Sequence, residues 1–266
     1  MCYMKDILVS IIVPTYNCLD YIDKCMDSLL NQTYSNIEIV ICDDCSTDGT
    51  REALQKYAGL ANVTVLYNDS NMKQAYTRNK CLKNCNGEFV MMQDADDLAE
   101  SNRVEELLSA FEPNIDFVSS GCYWFDEKGR YRNWIFSTAY PQRKSLLWGI
   151  PHVHAATMFR KECLQAVGGY RTGEHLSRAE DYDLIMNLYA AGYHGKNIPD
   201  LLYGYRVDRD ALERRTFGSR IDECFIRAHG FKANKILLPF GWCFIFKPIL
   251  AHVCHLGDEL RRNRRA

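Results

Sequence analysis

The sequence lacks an excess of charge of either sign. Its 266 residues carry 32 lysines and arginines against 34 aspartates and glutamates. Proteins that bind nucleic acids generally present a strongly basic surface, so a balance this close to zero argues against nucleic acid as a partner. With 47% hydrophobic and 25% charged residues the composition is globular, and the length suffices for one compact domain or two tightly joined halves.

A signal-peptide hydrophobic stretch is also lacking in residues 1–6. We therefore expect a cytoplasmic protein whose 12 cysteines stay reduced. Cys42 and Cys45 form a C-x-x-C pair, and Cys81 and Cys85 a C-x-x-x-C pair. A structural zinc site needs four converging ligands, whereas Cys42 falls on an apolar strand segment. We favour the interpretation that these cysteines act as small buried hydrophobic residues.

The C-terminal part lacks an uninterrupted apolar run. Residues 236–256 approach the length of a membrane span. Residues that a spanning helix tolerates poorly interrupt them: Pro239, Gly241, Lys247, Pro248, His252 and His255. A basic tail follows, with Arg261, Arg262, Arg264 and Arg265. Two interpretations stay open: a segment that lies on an anionic membrane surface, or a helical pair packed on the catalytic body or in a homodimer interface.

Short apolar runs alternate with helical patterns over the first hundred residues. Strands are predicted at 8–13, 37–42, 63–67 and 89–92, and helices at 21–30, 50–57 and 75–85. This alternation predicts an α/β fold with a doubly wound, mostly parallel sheet and helices on both faces. After residue 116 the pattern predicts strands at 117–123 and 155–159, a hairpin turn at 126–129, and a helix that opens at a capping box from Ser177 to Glu180.

Three carboxylates lie within residues 94–97, directly after the fourth predicted strand: Asp94, Asp96 and Asp97. Ligands of such sheets bind beyond the carboxyl ends of the strands, so this loop lies at the expected ligand edge. Carboxylates so close together repel one another unless a cation lies among them, and Mg²⁺ and Mn²⁺ prefer oxygen ligands. The sequence predicts a divalent-cation site here, and an acidic surface loop is the alternative.

Two further pairs of acidic residues are candidates for the functional site. Asp43 and Asp44 come after the second strand, where a carboxylate can accept a hydrogen bond from a base or a ribose, or can cap the next helix. Glu180 and Asp181 lie in the first turn of a predicted helix. The helix dipole favours the ionised carboxylate there, which is the form that a general base needs, although simple compensation of the dipole explains the pair equally well.

Four sequence blocks, in this order, resemble the inverting family-two glycosyltransferases of the GT-A fold: residues 9–17, 43–50, 94–97 and 180–184. The resemblance runs from about Val9 to about Arg215. It implies a GT-A-like sheet plus a helical C-terminal extension. The implied division is a nucleotide-sugar-binding half at 1–97, an acceptor-binding and catalytic half at 98–215, and the extension at 216–266.

The resemblance also implies an activity. The enzyme would be a metal-dependent hexosyl- or N-acetylhexosaminyl-transferase with an Mg²⁺ or Mn²⁺ cofactor. It would move a sugar from a nucleotide-diphosphate donor, a UDP-sugar by family habit, to a hydroxyl of a glycan or lipid-linked glycan, and would invert the anomeric centre. The implied setting is bacterial capsule or exopolysaccharide assembly, in the cytoplasm or on the inner face of the plasma membrane.

Roles for individual residues follow from the resemblance. Asp181 would be the catalytic base, and Asp96 would bind the metal. Asp208 would be a second metal ligand, in the place of a histidine that many relatives carry. The residues implied to bind the donor are Pro14, Thr15, Tyr16, Asn17, Asp44, Arg78, Asp94 and Ala95. Candidate contacts to the acceptor or the diphosphate are His154, Arg178, Glu180, Arg214 and Arg215. Cys45 departs from the family, since many relatives carry glycine there.

Two other functions are compatible with a fold of this type. Sugar nucleotidyltransferases have a similar fold but usually a glycine-rich, arginine-containing loop after the first strand, and this chain has Pro14, Thr15, Tyr16 and Asn17 there. A GT-A scaffold can also serve as a protein-binding module. The intact acidic loops argue against pure loss of catalysis.

Overall fold

The structure is a computed structural model that describes residues 7–173, 176, 179–207, 217–236 and 240–254. The strands of this part of the chain are β1 Val9–Thr15, β2 Ile37–Asp43, β3 Val63–Tyr67, β4 Phe89–Met92, β5 Leu98–Ala99, β6 Phe117–Asp126, β7 Gly129–Trp134, β8 Thr157–Arg160 and β9 Gly195–Arg206. The α-helices are α1 Leu19–Leu30, α2 Thr50–Ala53, α3 Lys73–Lys83, α4 Arg103–Ser109, α5 Lys161–Ala166, α6 Glu180–Ala191, α7 Phe217–Ala233 and α8 Phe240–Ile245. Residues 247–254 are also helical.

The strands form one sheet in the order β3-β2-β1-β4-β8-β6-β9-β5, and β7 pairs with the outer part of β6. In the N-terminal half, β3, β2, β1 and β4 are all parallel. In the second half, β8 runs antiparallel to β4 and β6, while β6 and β9 are parallel. The predicted α/β fold class is therefore confirmed, with the antiparallel pairings confined to the second half.

Alternation along β1 explains why helices cover both faces of the sheet. Successive side chains of a strand point to opposite faces. Ile11 belongs to the buried cluster that contains the apolar stripe of α1, with Ile22 and Leu29. Ile12 belongs to the other cluster, in which Cys81 of α3 and Leu184 of α6 are buried. A strand that is buried on both sides reads as a continuous apolar run, as β1 does.

Several predicted elements shift at their ends. The helix predicted at 50–57 is an α-helix only to Ala53 and continues as a 3₁₀-helix to Tyr57. The hairpin of β6 and β7 is confirmed. Helix α6 begins at Glu180, and Ser177 of the predicted capping box lies outside the described residues. Of the four cysteines in the two pairs, Cys42, Cys81 and Cys85 are buried in the core as predicted, whereas Cys45 is only half-buried, in the loop after β2.

The described part of the C-terminal extension packs on the catalytic body. The amide of Asn234 donates to the carbonyl of Met186 in α6 at 2.9 Å. The ring of Phe244 in α8 meets Trp148 edge-on, with ring centroids 4.9 Å apart. None of the described helices is long and apolar enough to cross a membrane. The division at 97/98 and 215/216 stays a prediction.

Candidate active site

A cavity of about 1040 Å³ opens where β1, β2 and β4 end. Its volume lies at the upper end of the range of about 300–1,000 Å³ that is usual for ligand sites. It is lined by nine of the residues that the sequence singled out: Pro14, Thr15, Tyr16, Asp44, Asp94, Ala95, Asp96, Glu180 and Asp181. The parallel topology thus brings together loops that are far apart in the chain, as ligand-binding α/β sheets require.

The loops after β1 and β2 are tied to each other beside this cavity. The backbone N–H of Asn17 donates to the hydroxyl of Ser46 at 2.9 Å, and the amide oxygen of Asn17 accepts from the backbone of Thr47 at 2.9 Å. Asn17 was expected on the cavity wall as a donor-binding residue. It instead joins the two loops beside the cavity. Cys45 has φ of 63°, in the left-handed region that favours glycine. This accounts for the glycine that many relatives carry there.

The Asp44 carboxylate organises the segment before α3. Its oxygens accept from the backbone N–H groups of Met72 at 2.8 Å and Lys73 at 2.9 Å, and from the Asn68 amide at 2.7 Å. The alternative that Asp44 caps α2 is wrong, because Asp48 accepts the Thr50 N–H at 3.0 Å and does so instead. Asp44 is thus held rigidly at the cavity edge, with carboxylate lone pairs that a ligand can still reach.

The three carboxylates after β4 have different environments. Asp97 is buried, and it accepts from the Tyr203 hydroxyl at 2.5 Å and the Arg206 backbone N–H at 2.6 Å. Burial, and then the charges of Asp96 and Asp94, raise its pKa well above the ordinary value. Asp97 is therefore a structural residue that joins this loop to the end of β9. All three carboxylate residues line the cavity, but the oxygens of Asp97 are taken up by Tyr203 and Arg206.

The donor set fits a hard divalent cation. Among the residues that the structure describes, no three Asp, Glu, His or Cys side chains converge as metal ligands. Mg²⁺ typically takes only one or two protein carboxylates and completes its shell with water and phosphate oxygens. Asp94 and Asp96 supply hard oxygen atoms on the cavity wall and would hold such an ion together with a bound diphosphate. The other expected metal ligand, Asp208, lies outside the described residues.

Arg78 was expected to contact the donor, but its side chain lies behind the cavity wall and does not reach the interior. The side chain is only 3% exposed. One guanidinium nitrogen donates to Glu180 at 2.7 Å and the other to Asp94 at 3.0 Å. Arg78 thereby bridges the acidic loop after β4 and the first turn of α6. This bridge fixes the distance between the candidate metal ligands and the candidate base.

Asp181 combines the position and the protonation behaviour of a general base. It is half-buried in the first turn of α6, where the acidic residues complement the helix dipole. Burial, and then the charge of Glu180, raise the pKa of Asp181 to about 7, while Arg78 opposes the shift. A carboxylate with a pKa near neutrality can both accept and release a proton at working pH. Such shifts are typical of functional sites.

The remaining expected contacts divide into two groups. His154 is buried, its Nε2 lies 2.7 Å from the Tyr170 hydroxyl, and burial holds its pKa well below the ordinary value. The expectation that it faces the acceptor is therefore wrong, and the residue is part of the core. Arg178, Arg214 and Arg215 lie outside the described residues.

One wall of the cavity was missed by the sequence argument. It is built by α7 and by residues 247–254, and its members are Ser219, Arg220, Glu223, Arg227, Lys247, Pro248 and Ala251. The only signal in the sequence is the helical spacing of Arg220, Glu223 and Arg227, which puts these residues on one face of α7. Such spacing is equally typical of a solvated helix face, so it did not single them out.

Comparison with known proteins agrees with this geometry. The family model "Glycosyl transferase family 2" matches residues 10–168. The chain is 31% identical over 246 residues to the putative glycosyltransferase EpsE of Bacillus subtilis, covering 91% of this chain and 88% of that protein. It is 26% identical over 228 residues to WfaP of Escherichia coli, a UDP-Glc:alpha-D-GlcNAc-diphosphoundecaprenol beta-1,3-glucosyltransferase, covering 85% and 88%.

The fold comparison points the same way. Residues 1–349 of TarS from S. aureus, solved with UDP-GlcNAc, superpose with a TM-score of 0.70 at 21% identity, covering 89% of this chain and 73% of that one. This likeness supports the GT-A-like fold. Together with the family model and the extensive match to EpsE, it shows that the chain is a glycosyltransferase and belongs to glycosyl transferase family 2.

Proposed function

We propose that this glycosyltransferase moves a sugar from a UDP-sugar to a hydroxyl of a lipid-linked glycan, with inversion, during assembly of a bacterial surface polysaccharide. The observation that carries the proposal is the position of Asp181, whose carboxylate faces the same cavity as Asp44, Asp94 and Asp96. Relatives support the substrate classes: TarS was solved with UDP-GlcNAc, and WfaP is named for UDP-glucose and a diphosphoundecaprenol-linked acceptor.

The donor end of the cavity suits a nucleoside diphosphate. Asp44 is held by three hydrogen bonds at the end of β2, where a carboxylate can accept from a base or ribose. The exposed ring of Tyr16 lines the same region and offers a flat surface for a base. A divalent cation at Asp94 and Asp96 would neutralise charge on the leaving diphosphate.

The transfer itself needs one proton acceptor. Asp181 in its ionised form takes the proton from the acceptor hydroxyl as the oxygen attacks the anomeric carbon. The bond between that carbon and the diphosphate oxygen breaks on the opposite face, and its electron pair leaves with UDP. A single displacement inverts the anomeric centre. The Arg78 bridge to Glu180 holds the first turn of α6 in place for this step.

Asp181→Asn tests the proposal because the amide preserves shape but cannot accept the proton. We expect unchanged affinity for the donor and loss of transfer by at least about a hundredfold, the lower part of the range for a general base. Calorimetry with Mn²⁺ and UDP-, GDP- and dTDP-sugars measures donor binding, and release of UDP measures transfer.

Asp200→Asn is the matched control, since Asp200 is an exposed aspartate of β9 outside the cavity. Normal turnover in Asp181→Asn would remove Asp181 from the role of base. Release of pyrophosphate in place of UDP would identify a nucleotidyltransferase. Preference for GDP- or dTDP-sugars would correct the donor nucleotide alone.

A further inference from the structure

The C-terminal wall, defined as Arg220, Glu223 and Arg227 of α7 together with Lys247, carries an uncompensated positive charge. Glu223 is the single acidic side chain among these four residues. It contacts Arg227 at 3.0 Å and Arg220 at 3.6 Å. Three cations against one carboxylate leave this wall with a formal charge of about +2 at neutral pH. The rest of the cavity lining is acidic, because six carboxylates outnumber Lys73 and Arg206 there: Asp44, Asp94, Asp96, Asp97, Glu180 and Asp181.

Arg227 serves to position the wall. Its side chain is 3% exposed. The guanidinium group donates hydrogen bonds to the Glu223 carboxylate and, at 3.3 Å, to the carbonyl of Leu147. Its charge lies 5.0 Å from the centre of the Tyr182 ring, directly beside the base. The wall therefore packs against the first turn of α6 and lines the same cavity as Asp181.

Arg220 and Lys247 both line the cavity, and each has hydrogen-bonding capacity left. The buried Nε of Arg220 has no hydrogen-bond partner. Lys247 donates to the carbonyl of Trp148 at 2.5 Å, and an ammonium group has three N–H donors in all. Two such cations on one cavity wall fit the oxygens of a phosphate or diphosphate better than any neutral group.

An apolar surface adjoins this basic wall. Helical residues 247–254 present Lys247 and Ala251 to the cavity, while Leu250 is 60% and Val253 57% exposed. Trp148 is 68% exposed, and the Lys247 ammonium lies 5.7 Å from its ring centre. Contiguous exposed apolar side chains of this kind mark binding surfaces. Here the apolar surface lies next to Lys247, a cation of the C-terminal wall.

We infer that the C-terminal wall binds the phosphate groups of an acceptor whose glycan is attached through a diphosphate to an apolar chain. Arg220 and Lys247 contact the phosphate oxygens, and Trp148 and Leu250 contact the first part of the chain. This assignment rests on the proposed transferase function and names the part of the acceptor that the enzyme recognises. The diphosphate of the donor nucleotide could bind the same cations, so the test must distinguish the diphosphate of the acceptor from that of the donor.

The experiment uses farnesyl diphosphate as a probe of the full-length protein whose donor site is saturated with UDP and Mn²⁺. We expect calorimetry to show that the probe binds in the presence of UDP and binds more tightly than inorganic pyrophosphate. Lys247→Gln and Arg220→Gln should each weaken it about tenfold, the effect of losing one charged hydrogen bond. Glu223→Gln should tighten it, because the carboxylate repels phosphate.

Lys232→Gln is the matched control, since Lys232 is an exposed cation on the same helix outside the cavity. We expect it to bind the probe like the wild type, and UDP affinity to be the same in every variant. Competition between the probe and UDP, or loss of UDP affinity in Lys247→Gln, would overturn the acceptor assignment and give the wall to the donor. Equal binding in all variants would remove the phosphate site.

Equal affinity for pyrophosphate and the farnesyl compound would remove the apolar part of the assignment. A different result would contradict the proposed transferase function itself. In that case the wild type would not bind a nucleotide sugar in the same calorimeter, before any probe is added.

Discussion

Protonation of Asp181 should govern how activity depends on pH. Burial and the charge of Glu180 raise the pKa of this carboxyl to about 7, and in the proposed mechanism the ionised form is the active one. We therefore expect kcat/KM to rise with pH, to reach half its plateau near pH 7, and to fall tenfold per unit below that. An unperturbed aspartate would leave the profile flat there, since its pKa is near 3.9.

Glu180→Gln checks the cause of this shift. Removing the Glu180 charge lowers the pKa of Asp181, because a like charge no longer opposes ionisation. It also removes a carboxylate that neutralises Arg78, so the positive charge of Arg78 lowers the pKa of Asp181 further. Both effects have the same sign, so the acidic limb of kcat/KM should move to lower pH. A limb that stays near pH 7 in this variant, or moves up, would show that Asp181 is not the titrating group.

At the scale of elements, the contact between α6 and α7 sets the position of the C-terminal wall. A Cβ built on Gly230 of α7 would lie 2.1 Å from the sulfur and 3.1 Å from the Cβ of Met186 in α6. Gly230 is therefore needed for the close approach of the two helices. This contact also places Arg227 against Tyr182 in the first turn of α6, where the proposed base Asp181 lies.

Gly230→Val should separate these helices. Overpacking of this size costs about 1–3 kcal/mol, whereas the gain in helix propensity from glycine to valine is only about 0.4 kcal/mol, so the free energy of unfolding should fall by about 2 kcal/mol. Urea unfolding measures it. Affinity for the diphosphate probe should fall while UDP affinity is kept.

Ala228→Val is the control for that substitution, because Ala228 is exposed on the same helix and its change costs only about 0.6 kcal/mol of helix propensity. Equal stability losses at residues 228 and 230 would mean that the contact with Met186 does not hold α7 in place.

Elements with a local signal were predictable, and those that depend on distant partners were not. The first three parallel strands are apolar runs bounded by turns, so their existence follows from the sequence. Strand β9 was missed, because Pro199 and Asp200 break its pattern and its extended conformation depends on pairing with the distant strands β6 and β5. Helix α4 was missed because it is only seven residues long.

The same contrast holds within the site. The rule that ligands bind at the ends of parallel strands placed Asp44, Asp94 and Asp96 correctly on one cavity. The rule says nothing of side-chain direction, which a partner decides. Arg78 lies behind the cavity wall because Glu180, 102 residues further along the chain, and Asp94 accept hydrogen bonds from its guanidinium there. His154 turns inward because Tyr170 satisfies it there.

Over the whole molecule, the charges of the cavity are divided between an acidic donor end and a basic C-terminal wall. The acidic end alone repels a diphosphate, so binding of UDP and of a divalent cation should each help the other. A ligand that binds only the folded state at about 100 times its Kd stabilises by about 2.7 kcal/mol. For a chain of this size that corresponds to a rise in Tm of about 5–10 °C.

Thermal unfolding of the wild type should therefore show a larger shift with UDP and Mn²⁺ together than the sum of the two separate shifts. Asp96→Asn should abolish the excess, because it removes a cavity carboxylate from the ion, and should leave the shift with UDP alone unchanged. Asp200→Asn should keep the excess, since its carboxylate is exposed elsewhere. Additive shifts in the wild type, together with full turnover after exhaustive chelation, would show that Asp94 and Asp96 act on the sugar or ribose directly and that no ion screens the diphosphate.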